Sequence, residues 1–300
     1  MQSKFNRISK VTNAAFFLFF TITSLICLAP LVFVASISLS SERSIQDLGY
    51  SMIPRVFSVE AYVFLSQQSA IILRALMVSA GVTVFGTLLG AILTTSIGYA
   101  ISRPGYKLRG FLTWVVFIPM VFNGGLVSTY YINSNLLGLR DSFLALVLPL
   151  AVSSFNVVVA KTFFKSTIPE SLIESAKLDG AGQIAIYARI ALPLSLPVIA
   201  AISLFLSFSY WNDWFQSMLY IDDAKKLSLQ ALLTQIMANV DYLAKNAATM
   251  GISSSQLARS MPKEGARMAI AALIVIPIAC AYPFFQKYFI SGLTVGAVKG

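Results

Sequence analysis

The segment Lys165-Ser-Thr-Ile-Pro-Glu-Ser-Leu-Ile-Glu-Ser-Ala-Lys-Leu-Asp-Gly180, continued by Ala-Gly-Gln-Ile-Ala-Ile-Tyr-Ala-Arg-Ile-Ala-Leu-Pro193, lies between two long apolar runs. Thr167 and Glu170 have the spacing of a capping box, so a helix is predicted to begin there, with Pro169 tolerated in its first turn. Gly180 permits a left-handed exit from that helix. A second short helix is predicted to follow to about Ile190. The pattern therefore predicts two short helices on a membrane surface, joined by a sharp turn.

The rest of the chain predicts a membrane protein. Hydrophobic residues make up 57% of it and charged residues 11%, with a mean hydropathy of +0.77, whereas a soluble domain has about a quarter of its residues charged. Six apolar runs are long enough to cross about 30 Å of hydrocarbon: 14–37, 71–101, 111–131, 142–163, 190–209 and 268–289. We therefore expect an all-α, polytopic protein with six transmembrane helices.

Basic residues predict the orientation of these spans. If the N-terminus is inside, the first two outer loops contain only Arg43, Arg55 and Arg140, and nearly all other basic residues up to Arg189 lie inside. Both termini are then cytoplasmic. The predicted organisation is a cytoplasmic N-terminus over 1–13 and a single transmembrane domain over 14–300. This domain includes a cytoplasmic loop at 164–189, an outer loop at 210–267 and a cytoplasmic tail at 290–300.

The first helix of the loop at 164–189 has a small apolar stripe. Leu172 and Ala176 are four residues apart, and Ile173 and Ala176 are three apart. Such a stripe is typical of a helix that docks into a groove on a partner protein. The alternative is an ordinary amphipathic helix lying on the membrane surface.

The same segment resembles the signature loop of the permeases of binding-protein-dependent ABC importers. Glu174-Ser175-Ala176, then Gly180, Ile190 and Leu192-Pro193 fall at the spacing of that motif, although the family usually has Ala where this chain has Ser175. The resemblance implies a type I importer permease fold in a bacterial inner membrane and a coupling helix that fits a cleft on the ATPase. It implies these ATPase-coupling residues: Glu170, Leu172, Ile173, Glu174, Ser175, Ala176, Asp179, Gly180, Leu192 and Pro193.

Two further segments resemble the carbohydrate branch of this family, and in particular its smaller permease subunit. They are Met261-Pro-Lys-Glu-Gly-Ala-Arg-Met268 and the end of the chain, from Tyr282 through the tail Gly292–Gly300. The resemblance implies import of sugars or oligosaccharides, including acidic ones such as alginate. It also implies three kinds of protein partner besides the lipid bilayer: a second permease, a dimer of ATP-binding subunits and an extracytoplasmic solute-binding protein.

Several functions are disfavoured by what the sequence lacks. It has no phosphate-binding loop of the Gly-x-x-x-x-Gly-Lys-Ser/Thr type and no histidine. We therefore expect no catalytic residue, no metal site and no bound cofactor, with ATP and Mg²⁺ used by a separate ATPase chain. The basic residues do not gather into one stripe, so nucleic acid is not an expected partner.

Some polar residues near the spans remain open to two interpretations. Arg74 either extends to the lipid headgroups or faces a translocation path, and Ser153 and Asn156 either line that path or bond between helices. By family analogy, Trp211, Asn212 and Asp213 are predicted to contact the solute-binding protein. Gly86 and Gly90 predict close helix packing, either within the chain or against a partner. Two functions stay open as alternatives: an importer permease for a non-sugar solute, and an ion-coupled secondary carrier.

Overall fold

The computed structural model describes residues 9–246 and 262–297, and its α-helices account for most of them. We number the helices in chain order: α1 Lys10–Ser38, α2 Glu42–Leu48, α3 Glu60–Ser66, α4 Ser69–Ser102, α5 Arg109–Val121, α6 Leu126–Tyr131, α7 Phe143–Val147, α8 Ser154–Thr167, α9 Glu170–Leu178, α10 Gln183–Ile186, α11 Leu192–Leu194, α12 Leu196–Trp211, α13 Phe215–Tyr220, α14 Leu229–Asn246 and α15 Lys263–Ala297. Short 3₁₀ or π segments at Ile132–Leu136, Leu148–Leu150, Tyr187–Ala191 and Ala224–Lys226 supplement them.

Among the described residues, two helices, α1 and α4, are each long and apolar enough to cross a membrane. Two bent pairs qualify if each pair counts as one span. The first joins Phe143–Leu150 to α8 at 50°, and the second joins Gln183–Leu194 to α12 at 83°. The structure therefore shows between two and four of the six predicted spans.

The predicted span at 111–131 is not one helix. α5 ends at Val121 and α6 begins at Leu126. Gly125, the residue before α6, has a φ of +82°, which is a left-handed conformation that glycine adopts without a steric penalty. Hydropathy missed this break because it counts apolar content and not backbone conformation. The predicted span at 268–289 lies within the continuous helix α15, many of whose side chains are outside the described set.

The chain divides into two compact units, and the first comprises Met1–Ser69 and Ile236–Val275. Within this unit Glu42 is fully buried and accepts hydrogen bonds from the backbone N–H groups of Glu264 and Gly265, both at 3.1 Å. The first N–H groups of a helix have no partner inside the helix, so Glu42 satisfies the beginning of α15. The carboxylate of Glu264 in turn accepts from the Tyr50 hydroxyl at 3.0 Å.

The second unit comprises Ala70–Gln235 and Ile276–Gly300, and in it glycines let α4 approach its neighbours closely. A Cβ at Gly98 would lie 2.6 Å from the Cβ of Ala160, and one at Gly86 would lie 2.4 Å from the ring of Tyr210. A Cβ at Gly90 would lie 2.6 Å from the carbonyl oxygen of Ala151, so the predicted close packing at Gly86 and Gly90 is confirmed as packing within this chain.

Some predictions concern residues outside the described part of the chain. The predicted N-terminal segment 1–13 is described only from residue 9, the outer loop 210–267 lacks 247–261, and the tail 290–300 is described to residue 297. The predicted single domain over 14–300 stays a prediction.

Candidate functional site

The candidate coupling segment begins with α9. The predicted capping box is wrong, because Thr167 is the last residue of α8 and Pro169 occupies the N-cap position of α9 without a side-chain cap bond. Proline at 169 favours extended backbone at Ile168, and this separates the two helices by two residues. The helix therefore begins at Glu170, three residues after the predicted cap, and Pro169 lies before its first turn and not within it.

The predicted left-handed exit from α9 is confirmed. Gly180 has a φ of +83°. Its N–H donates to the carbonyl of Lys177 at 3.0 Å, and the N–H of Ala181 donates to the carbonyl of Ala176 at 2.9 Å. This pair of bonds is a Schellman motif, which satisfies the last carbonyl groups of the helix. α9 therefore ends sharply and presents its C-terminal residues at a turn.

The structure divides the stripe predicted on α9. Ile173 is 1% exposed and Ala176 is 8% exposed, whereas Leu178 is 89% exposed. Ile173 and Ala176 are buried against their own chain, and their part in ATPase coupling stays a prediction. The other residues predicted on this helix and its turn are exposed: Glu170, Leu172, Glu174, Ser175, Asp179 and Gly180. We call five of these residues, Leu172, Glu174, Ser175, Asp179 and Gly180, together with Leu178, the outward face of α9, whereas Glu170 lines a cavity between α9 and the end of α4.

The chain after Gly180 connects this turn to α4. α10 continues as the π segment Tyr187–Ala191, whose Tyr187 hydroxyl lies 2.8 Å from the hydroxyl of Thr95 and accepts a bond from Ser96 at 3.2 Å. Leu192 is half-buried and Pro193 is exposed, and both lie in the three-residue helix α11. The hydroxyl contacts of Tyr187 therefore connect the segment after the turn to α4.

The predicted path residues Ser153 and Asn156 line a cavity of about 440 Å³. It opens at the break between Leu148–Leu150 and α8, and Ser209 of α12 also lines it. Asn156 is 6% exposed, and within residues 9–246 and 262–297 its carboxamide has no hydrogen-bond partner. Irregular backbone at membrane depth is tolerated where it is buried in protein or lines a water-filled cavity, which fits a hydrated path at this position.

Two aromatic residues of this cavity were missed by sequence reasoning. Phe155 and Phe205 line it and are about half exposed. Phe205 and Ser209 are four residues apart, so they share one face of α12. That spacing was visible in the sequence, but the partner face on α8 was not. Arg74 is exposed near the beginning of α4 and is not among the lining residues of this cavity.

The three residues predicted to contact the solute-binding protein do not form one surface. Trp211 is buried at the end of α12, and the amide of Asn212 donates back to the carbonyl of Phe208 at 2.9 Å. Asp213 accepts from the backbone N–H of Gln216 at 3.2 Å and so caps α13. Burial raises the pKa of Asp213 above its usual range, opposed by backbone N–H bonds. Their contact with a binding protein stays a prediction.

A cluster of charges near α13 was also missed. Asp141 has a φ of +53° and accepts hydrogen bonds from the backbone N–H groups of Asp222 and Asp223 and from the ammonium of Lys226. These hydrogen bonds, chiefly the one from Lys226, lower the pKa of Asp141. The interaction joins the segment after Ile132–Leu136 to the segment after α13.

The described residues thus contain apolar candidate spans, a bent helix pair that lines a cavity with no charged lining residue, and a short helix, α9, with one buried and one exposed side. The chain belongs to the family of binding-protein-dependent transport system inner membrane components, whose model matches residues 86–295. It is thus an integral inner-membrane protein.

Three similar proteins come from bacteria. The chain is 37% identical over 295 residues to the polygalacturonan/rhamnogalacturonan transport system permease protein YtcP of Bacillus subtilis, covering 98% of this chain and 99% of that protein. It is 36% identical over 275 residues to Protein LplC of the same organism, covering 92% and 90%. Among solved structures it is similar to a chain of a bacterial ABC transporter involved in the import of the acidic polysaccharide alginate, with a TM-score of 0.74, 27% identity and coverage of 96% and 99%.

Proposed function

We propose that this chain is the sugar-conducting permease of an ATP-driven importer, and that ATP hydrolysis occurs in a separate chain docked on the outward face of α9. The observation that carries the proposal is that Ile173 and Ala176 of α9 are buried against their own chain, while the side chains of its outward face are exposed. The membership in the binding-protein-dependent family supports it. Both termini are cytoplasmic in this proposal.

Coupling follows from this arrangement. A helix that is anchored on its own chain moves with that chain when a partner pulls on its other face. The Schellman turn at Gly180 and the contacts of Tyr187 with Thr95 and Ser96 then transmit the displacement to α4. The partner must bind differently to α9 in its two states, because a ligand shifts an equilibrium only by its difference in affinity.

The cargo is proposed to be an oligosaccharide that contains uronate units. Two similar proteins carry names or titles that refer to the transport of such polysaccharides. The cavity at the broken span offers an unpaired carboxamide, two hydroxyl groups and two aromatic rings, a lining that suits sugar hydroxyl groups and ring faces. No charged residue lines it, so recognition of the carboxylates is assigned to a site outside it, for which exposed Arg74 is the proposed residue.

The test of coupling uses the assembled transporter with its neighbouring permease, ATPase and solute-binding protein. Leu178→Ser removes the most exposed apolar side chain of α9, and Leu48→Ser, at the exposed end of α2, is the matched control. Burial of a leucine contributes about 1.5–3 kcal/mol, so stimulated ATPase activity is expected to fall roughly tenfold or more in Leu178→Ser only. Equal activity in the two variants would refute the docking face.

The test of cargo compares binding proteins loaded with neutral or uronate oligosaccharides. Stimulation of ATPase activity by the uronate-loaded binding protein alone supports the acidic cargo. A smaller stimulation by that protein in the Arg74→Gln transporter supports the role of Arg74. Stimulation only by neutral sugars would contradict the acidic cargo while leaving the importer function intact. Failure of every sugar-loaded protein would refute the carbohydrate assignment.

The cavity is tested with Asn156→Leu, which removes the unpaired carboxamide. The control is Thr87→Val, because the Thr87 hydroxyl is also buried and without a partner in the described structure but does not line this cavity. Transport in Asn156→Leu is expected to require several times more loaded binding protein for half-maximal rate, since a lost neutral hydrogen bond is worth about 0.5–1.5 kcal/mol. Identical transport by the two variants would exclude Asn156 from the path.

A further inference from the structure

A buried arginine follows the last residue of α4. Arg103 is 9% exposed, its Nε donates to the hydroxyl of Ser102 at 3.0 Å, and its Nη2 donates to the carbonyl of Phe164 at 2.8 Å. The centre of its guanidinium lies 5.3 Å from the ring centroid of Tyr99. A guanidinium has five N–H donors, so most of them remain without an acceptor in the described part of the chain, where no carboxylate forms an ion pair with Arg103. A buried cation without a counter-ion is unfavourable, which points to an anion supplied from outside the chain.

Arg103 lines a cavity of about 890 Å³ between the end of α4 and α9. Lys107 and Lys177 also line it, whereas Glu170 is its one acidic lining residue, so the lining carries an excess of positive charge. The remaining walls are mostly apolar or aromatic and include Tyr99 and Ile173. This combination suits an anion that carries an apolar part.

The position of the cavity identifies the kind of anion. In the proposed orientation it lies where α4 reaches the cytoplasmic surface, beside a helix that runs on that surface. Basic pockets between helices on the cytoplasmic side of a membrane bind phospholipid headgroups, and arginine pairs with phosphate through charge-assisted hydrogen bonds. We propose that this cavity binds the phosphate headgroup of an anionic phospholipid through Arg103, Lys107 and Lys177. The lipid then joins α4 to α9 and neutralises Arg103. This inference rests on the proposed function only for the orientation of the chain in the membrane, with both termini cytoplasmic.

The experiment measures lipid retention by the assembled transporter in lipid nanodiscs of phosphatidylcholine with phosphatidylglycerol. After extraction and washing, native mass spectrometry counts the phosphatidylglycerol molecules that remain bound. Lys107→Gln changes an exposed lining residue that lies outside α9, and Lys165→Gln, an exposed lysine in the last turn of α8 that does not line the cavity, is the control. Retention is expected to fall about tenfold in Lys107→Gln, to be unchanged in Lys165→Gln and to be restored in Lys107→Arg.

Three outcomes would overturn the proposal. Equal retention in Lys107→Gln and Lys165→Gln would remove the cavity as the lipid site. Failure of Lys107→Arg to restore retention would show that the positive charge at position 107 does not bind the lipid. Displacement of the lipid by soluble glycerol phosphate at low concentration would identify a free phosphate ester as the ligand. Because retention is read without ATPase activity, a failure of the coupling proposal leaves this test valid.

Discussion

Replacing Gly86 by alanine should destabilise this protein, whereas the same change at Gly81 should not. A Cβ at position 86 would lie 2.4–2.8 Å from three ring atoms of Tyr210, while at position 81 the nearest atoms, on Phe143, are 3.8 Å away. Tyr210 cannot easily move, because it is buried and its hydroxyl donates to the carbonyl of Val147 at 2.7 Å. Overpacking costs about 1–3 kcal/mol, and an unsatisfied buried hydroxyl costs about 1–3 kcal/mol.

Alanine is a better helix former than glycine by about 1 kcal/mol, and this gain applies at both positions. The net expectation is a loss of roughly 1–5 kcal/mol for Gly86→Ala and a gain of up to about 1 kcal/mol for Gly81→Ala. The purified variants are heated in detergent, and size-exclusion chromatography measures how much folded protein remains at each temperature. The shift in the unfolding temperature gives the sign of each change in stability. Adding Tyr210→Leu to Gly86→Ala should recover part of the loss, since the smaller side chain leaves room for the new methyl group. Equal stability of the two alanine variants, or additive losses in the double variant, would refute packing of Gly86 against this ring.

Three further predictions concern other parts of the chain. Gly180→Val should uncouple ATPase activity from transport more strongly than Gly180→Asn, because asparagine tolerates the φ of +83° that costs other residues about 1–2 kcal/mol; equal coupling ratios in transport assays would contradict this. Glu42→Gln should lower the unfolding temperature, since charge-assisted bonds to the N–H groups of α15, including that of Gly265, are roughly twice as strong as neutral ones; an unchanged temperature would contradict the cap. The stabilisation from Asp141 and Lys226 should be present above the ordinary pKa of 3.8 and should be lost as the pH falls through the lowered pKa of Asp141; in stability scans at decreasing pH, Asp141→Asn should lack this loss, and an identical profile would contradict the interaction.

Much of the coupling segment was determined by local sequence. Gly180 ends α9 in a left-handed conformation, as predicted, because helix termination by glycine acts within a few residues. The start of α9 was predicted at Thr167 but lies at Glu170, because the restriction before Pro169 keeps Ile168 extended. The transport class followed from a resemblance, since Glu174, Gly180 and Pro193 occur at the spacing of the family's signature loop. Apolar content was sufficient to find α1 and α4, which are long and uninterrupted.

Tertiary structure decided which faces are buried. Ile173 and Ala176 have the same spacing whether they face a partner or their own chain, and only their burial in the folded chain distinguishes the two cases. The role of Arg103 depends on Phe164, a residue far along the chain, so its sequence position indicated only membrane topology. The cavity that Asn156 lines likewise forms only where α8 and α12 lie together, beside the break between Leu148–Leu150 and α8. Local sequence therefore determined helix ends and membrane insertion, whereas contacts between distant residues determined the outward face of α9, the cavity and the buried charge.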